Sequence, residues 1–199
     1  MERQTRLIWC ALVAWISGWA TVAGAHITPP VVLLSDRDAV LGMTTGAQKF
    51  FVREVRLTPE ERAQIDKEWR WKPEEEFFRF YIGRDAQGKL VAAVTFLTEY
   101  TIHGPVRVAV SLGPDGRVMD AKVVEVTEET YYWVKPLLDQ DFTKAYVGRD
   151  SWASFALTGR FAEANLQIMP HFYGQIVASL IQRGAILFDV ALRKRGEAN

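Results

Sequence analysis

Cysteine is almost absent from this chain: Cys10 is the only one in 199 residues. It lies inside an apolar N-terminal stretch and lacks the small residues that precede a lipoprotein cysteine. Beyond that stretch there can be no disulfide, no thiolate nucleophile, no Cys-ligated cluster and no CxxCH haem attachment. Histidine is equally sparse, with His26, His103 and His171 the only three. None has a second His or a Cys at ligand spacing, and a metal needs two or three such donors converging, so no metal site is expected. Neither sign of charge predominates, since 24 basic and 24 acidic residues cancel. Without a net field the chain has nothing to draw nucleic acid or an anionic membrane, and no nucleic-acid partner is expected. There is no G-x-S-x-G elbow, no Walker A loop and no GxGxxG turn. The acidic runs Glu74–Glu76 and Glu128–Glu129 read as solvated faces rather than a glycosidase pair.

The N-terminus is more informative. Met1–Arg6 carries positive charge, Leu7–Ala25 is almost wholly apolar, and Ala23-Gly24-Ala25 has the small-x-small form of a signal-peptidase site. Residues 1–25 therefore read as a secretory signal, and 26–199 as the mature protein in the periplasm or another extracytoplasmic space. The alternative is an uncleaved anchor, because the apolar run approaches the ~20 residues that span a bilayer. The remainder fits one domain with its own core. At 49% hydrophobic and 12% aromatic residues, the whole chain is too apolar for a disordered module.

Local patterns indicate an α+β domain. Ser35 and Asp38 can cap a short helix running toward Gly46. Thr58-Pro59-Glu60-Glu61 is a capping box with proline in the first turn, opening a helix that should run to about Trp69. The period then shortens to two. Phe77–Ile82, Leu90–Leu97, Val106–Leu112 and Val118–Val126 read as four strands, and the turns at Gly83–Gly88 and Gly113–Gly116 make them an antiparallel meander. Leu90–Leu97 is apolar enough to be buried on both faces. Thr127–Thr130 opens another helical stretch, with Pro136 starting or breaking it and Leu137–Tyr146 continuing it. A last helix follows Met169-Pro170, with Phe172, Tyr173, Ile176, Val177, Leu180 and Ile181 on one face for packing on the sheet. Gly184 is expected to end it and Ala185–Leu192 to form a final strand.

The run from Val106 through Gly113-Pro114-Asp115-Gly116 to Val123–Thr130 sets an apolar strand, a D-G turn, a second apolar strand and a Glu-Thr loop in order. From Val106 to about Met169 this resembles the FMN-binding domain of periplasmic flavoproteins, the family that includes subunits of the Rnf and sodium-translocating NADH:quinone reductase complexes. Gly46–Phe50 is similar to the start of that domain. The resemblance implies an extracytoplasmic electron carrier rather than an enzyme with its own substrate. It puts Glu129 and Thr130 beside the flavin, where the residues by themselves read as the first turn of a helix capped by Thr127.

Covalent members of that family attach FMN to a Thr in S/T-G-A-T before the final helix. Here the matching stretch is Ala164–Pro170, and no Ser or Thr occurs between Thr158 and Ser179. The linkage needs a hydroxyl, so any FMN is held non-covalently. Thr44-Thr45-Gly46-Ala47-Gln48 mimics the motif at the wrong end of the domain, with Gln48 where the acceptor would stand. For a non-covalent site the implied residues are Glu129, Thr130, Asn165, Met169 and His171. The phosphate would face the last helix's N-terminus, with Arg107 or Arg160 adding charge and Phe161, Phe172 or Tyr173 covering the ring. Two further readings stand beside this one. The domain could be a flavin-free accessory subunit of a membrane or cytochrome redox complex, docking through Trp69, Trp71, Trp133 or Trp152. It could also be a small-ligand module with His103-Gly104-Pro105 at its pocket mouth.

Overall fold

The computed structural model describes residues 28–162 and 168–197. Its elements in order are β1 (Pro30–Val32), α1 (Asp36–Met43), β2 (Lys49–Val55), α2 (Pro59–Trp69), β3 (Phe78–Arg84), β4 (Leu90–Thr101), β5 (Gly104–Leu112), β6 (Val118–Thr127), α3 (Glu128–Leu138) and α4 (Ile168–Phe188). Short 3₁₀ turns at Phe142–Tyr146 and Gly159–Phe161 lie between α3 and α4, and a π-helical turn, Asp189–Arg193, continues α4. The segment 1–25 lies outside the described residues.

One six-stranded antiparallel sheet, ordered β1-β6-β5-β4-β3-β2, organises the domain. The fold is α+β, and β3 to β6 form the meander that their alternation and turns predict. Two strands escaped that reading. β1 has three residues, and β2 carries adjacent apolar residues that are all exposed except Val55, so neither alternates.

The sheet buries both faces, unequally. On one face the alternate β5 residues Val106, Val108, Val110 and Leu112 join Tyr173, Val177, Leu180 and Ile181 of α4 in the main core. On the other, Val94, Ala109 and Val124 meet Ala39 and Met43 of α1. Burial from both sides explains the unbroken apolar run of β4. The caps form as read: Thr58 closes a full capping box, Ser35 Oγ accepts from Asp38 N–H, and Thr127 Oγ1 accepts from Thr130 N–H.

The C-terminal segment corrects the sequence reading. Helix α4 does not stop at Gly184, and the expected strand Ala185–Leu192 is helical and buried throughout. A continuous apolar run carries no period to tell a strand from a buried helix. Gly184 is there for close packing, since a Cβ would sit 3.0 Å from Val110 Cβ. The helix is long and apolar enough to cross a membrane, but 72% of its apolar window is buried inside the domain, as expected of a core helix. Helix α3 passes through Pro136 and ends at Leu138, and the 3₁₀ turn replaces the continuation expected to Tyr146.

Candidate functional site

The sheet's longest hairpin, β4–β5, projects a two-residue tip, Ile102-His103, between the N-termini of α3 and α4. Two hollows flank this tip. The first, about 760 Å³, lies against α4 and is lined by Tyr100, Ile102, Met169, Phe172, Ile176 and Arg183 among others. The second, about 920 Å³, lies against α3 and is lined by Thr28, Ile102, His103, Glu128, Glu129 and Tyr132 among others. Both volumes fall in the range of about 300–1,000 Å³ usual for small-molecule sites.

Local hydrogen bonds tie the tip to its own hairpin and to α3. Thr101 pairs with Gly104, and Thr101 Oγ1 donates to Gly104 O at 2.8 Å and accepts from His103 N at 3.1 Å. That hydroxyl proton is thereby used, so the Tyr173 hydroxyl, 3.3 Å away, is the donor in their contact. Thr127 Oγ1, at the start of α3, lies 2.8 Å from His103 O and 2.9 Å from Thr130 Oγ1. An aromatic stack continues inward from the tip. The His103 ring meets Trp133 edge-on at 4.8 Å, Trp133 stacks on Tyr173 at 5.4 Å, and Phe172 meets Tyr173 edge-on at 5.3 Å.

The residues singled out from the sequence divide on this frame. Glu129 stands at the site, its carboxylate 3.1 Å from His103 Nδ1. Met169 lines the first hollow. Thr130 is fully buried and lines neither hollow, its hydroxyl spent within the α3 cap. His171 also lines neither; the Gln175 amide donates to its Nε2 at 3.0 Å. Arg107 sits on the opposite face of the sheet, alternating with the core-facing valines of β5. It grips Asp36 of α1 through two hydrogen bonds of 2.5 and 2.8 Å and lies 4.6 Å from the Phe96 ring centre. Its guanidinium is held above its ordinary pKa chiefly by that hydrogen bonding to Asp36. Asn165 and the Arg160 side chain lie outside the described residues. Phe161 and Tyr173 are buried in the core, which leaves Phe172 at the cleft edge. Of the four tryptophans considered, Trp152 is the one largely exposed; it packs on Trp69, whose indole donates to Ser151 O at 2.9 Å. The mock motif Thr44–Gln48 is structural, since Thr44 caps α1 and a Cβ on Gly83 would meet Ala47 Cβ at 2.8 Å.

Sequence reasoning missed the residues that shape the hollows most. Ile102 is 96% exposed and Tyr100 82%, and with Tyr132 and Ile168 they join Phe172, which the sequence did single out, in an apolar rim around the tip. An isoleucine at the apex of a two-residue turn was the available signal. At the far end of the first hollow Arg183 binds Glu99 at 2.6 Å, so its charge is balanced, while Glu128 and Glu129 make the second hollow acidic.

The first hollow combines apolar and polar lining. Ile102, Met169, Phe172 and Ile176 supply apolar walls, and Gln175 and Ser179 supply polar groups for its edges. The acidic second hollow does not suit a phosphate. The α4 N-terminus beside Met169 has the dipole sign that favours an anion, although its third residue, Pro170, carries no N–H. Among the described residues no group of His, Asp or Glu could hold a metal. No protein-family model matches the chain, and no curated protein or solved structure matches it either.

Proposed function

We propose that this domain is an extracytoplasmic electron carrier that holds FMN non-covalently in the hollow between the β4–β5 tip and α4. The observation that carries the reading is that hollow itself: apolar walls, polar groups along one side, and a helix N-terminus at its edge. The charged and apolar character of residues 1–25 supports an extracytoplasmic location. The resemblance of Val106–Met169 to FMN-binding domains supports the choice of ligand.

Each residue has a definite task in this reading. Ile102, Met169, Phe172 and Ile176 enclose the ring and exclude water, and Gln175 and Ser179 hydrogen-bond its heteroatoms. The N-terminal end of α4 faces the phosphate with its favourable dipole. Bound flavin supplies one- or two-electron redox chemistry. His103 borders both hollows, with its Nδ1 engaged by Glu129. The exposed rim of Tyr100, Ile102, Tyr132 and Ile168 is the docking face for a redox protein or a membrane electron-transfer complex.

Absorbance of the purified protein and quenching of flavin fluorescence on titration test the reading. A yellow protein, or saturable uptake of added FMN at micromolar concentration, supports it. A colourless protein that takes up no FMN overturns it. The rim would then favour the second reading, a flavin-free accessory subunit that docks through Tyr100, Ile102 and Tyr132.

A further inference from the structure

The far edge of the sheet poses a separate question. Strand β2 ends the sheet, and among the described residues no strand pairs with its outer side. The opposite edge, β1, is only three residues long and begins with proline, two of the usual ways to blunt an edge. β2 has seven residues, and Phe50, Phe51 and Val52 at its middle are each about half exposed or more. An open edge of this length and polarity is a template for another strand.

The face each side chain occupies follows from the register with β3. Phe51, Arg53 and Val55 stand beside Ile82, Phe80 and Phe78, on the face that α4 covers. Phe50, Val52 and Glu54 stand beside Gly83, Tyr81 and Arg79 on the other face. In a two-fold antiparallel pairing of this edge with itself, each residue meets one of the same face, so the strand can be centred on any single residue.

Charge and length then select the centre: Phe50 and Val55 also avoid like charges, but they lie near the ends of β2 and leave most of the strand unpaired. Centring on Phe51 sets Lys49 against Arg53 of the other copy, twice. Centring on Arg53 sets that arginine against itself. Centring on Val52 opposes no like charges. Val52 meets Val52, and each Phe51 lies beside an Arg53 guanidinium, a favourable cation–π arrangement. Glu197 already neutralises Arg53 at 2.7 Å, which relieves the diagonal approach of Lys49. A shallow hollow of about 490 Å³, lined by Phe51, Arg53, Ile82 and Leu192, opens on the same face and can receive the incoming phenyl ring.

We propose that β2 pairs antiparallel with β2 of a second copy about Val52, extending the sheet across a two-fold axis. Directly opposed residues in such a ladder have Cα atoms about 4.5–5.5 Å apart, within disulfide reach. The test uses the full chain in density-matched detergent, in a Cys10→Ser background. Sedimentation equilibrium should give a dimer mass, and Val52→Lys should reduce it to the monomer with an unchanged circular dichroism spectrum. On mild oxidation Val52→Cys should cross-link at least fivefold faster than Glu54→Cys, whose opposite residue is Phe50. A monomer mass for the parent, a dimer that survives Val52→Lys, or equal cross-linking at both positions overturns the proposal.

Discussion

Gly104 lies against Thr127 so closely that a Cβ on the glycine would sit 2.4 Å from Thr127 Cγ2. The two residues join the hairpin tip to the start of α3, and Gly104 also has φ +98, in the left-handed region. The close approach lets Thr127 Oγ1 reach His103 O while still capping the helix.

Gly104→Ala should therefore cost more than either effect alone. Positive φ with a side chain costs on the order of 1–3 kcal/mol, and the overlap with Thr127 adds to it. The urea midpoint should fall, and the Glu129–His103 contact should loosen as the tip shifts. Thr127→Ser keeps the cap and removes the obstructing methyl, so it should recover part of the loss in the double variant. A Gly104→Ala protein as stable as the parent would contradict this account.

Ligand uptake and stability should separate cleanly between the two faces of the sheet. Phe172→Ala and Met169→Ala remove walls of the first hollow and should weaken FMN binding by roughly ten-fold, since lost apolar burial of ~1–2 kcal/mol is one decade or slightly more. Arg107→Met should leave binding unchanged. Its pair with Asp36 is partly exposed, so the stability loss should be no more than about 1 kcal/mol. Parallel titrations and thermal melts check both halves.

The acid limb of stability should depend on the C-terminal tail. Glu61 is held below the usual carboxylate range, first by its hydrogen bond to Arg195 and also by the Thr58 amide. A depressed carboxyl stabilises the fold fully above its unfolded pKa of about 4.3, and the contribution fades as pH falls through the lower folded value. Arg195→Gln should therefore reduce stability at pH 7 and leave it nearly unchanged at pH 2. Urea midpoints of the two proteins should converge as the pH is lowered.

Much of this arrangement was legible in the sequence because local chemistry specified it. Thr58, Ser35 and Thr127 announced their caps, and the alternation of β3, β5 and β6, the apolar run of β4 and the turns between them announced the meander. Elements set by tertiary contact were not legible. β2 has no alternation because it is an exposed edge, and Ala185–Leu192 has none because it is buried all round. The site divided the same way. Glu129 and Met169 stand at the hollows, but Arg107 carries no mark in the sequence of which sheet face it occupies. Its partner, Asp36, is 71 residues away along the chain, so nothing local marks the pair. The resemblance puts Thr130 beside the flavin together with Glu129, yet the Thr127 cap turns its hydroxyl inward.

Gly184 offers the sharpest test of why α4 runs past the point where a glycine should have stopped it. In an open helix, replacing Gly by Ala gains about 1 kcal/mol. Here the new Cβ would meet three atoms of Val110 at 3.0–3.2 Å, and Val110 is fully buried at the sheet centre. Overpacking of this kind costs about 1–3 kcal/mol, so Gly184→Ala should be destabilising or neutral in the parent. Val110→Ala removes the obstructing methyl groups and should cost about 2 kcal/mol alone. Added to that background, Gly184→Ala should cost markedly less than in the parent, because the two methyl contacts are gone and only the Val110 Cβ remains close, at 3.0 Å. The double-mutant cycle should show a coupling of at least 1 kcal/mol in favour of the pair. Additive effects would mean that α4 and β5 are not in the contact that holds the main core together.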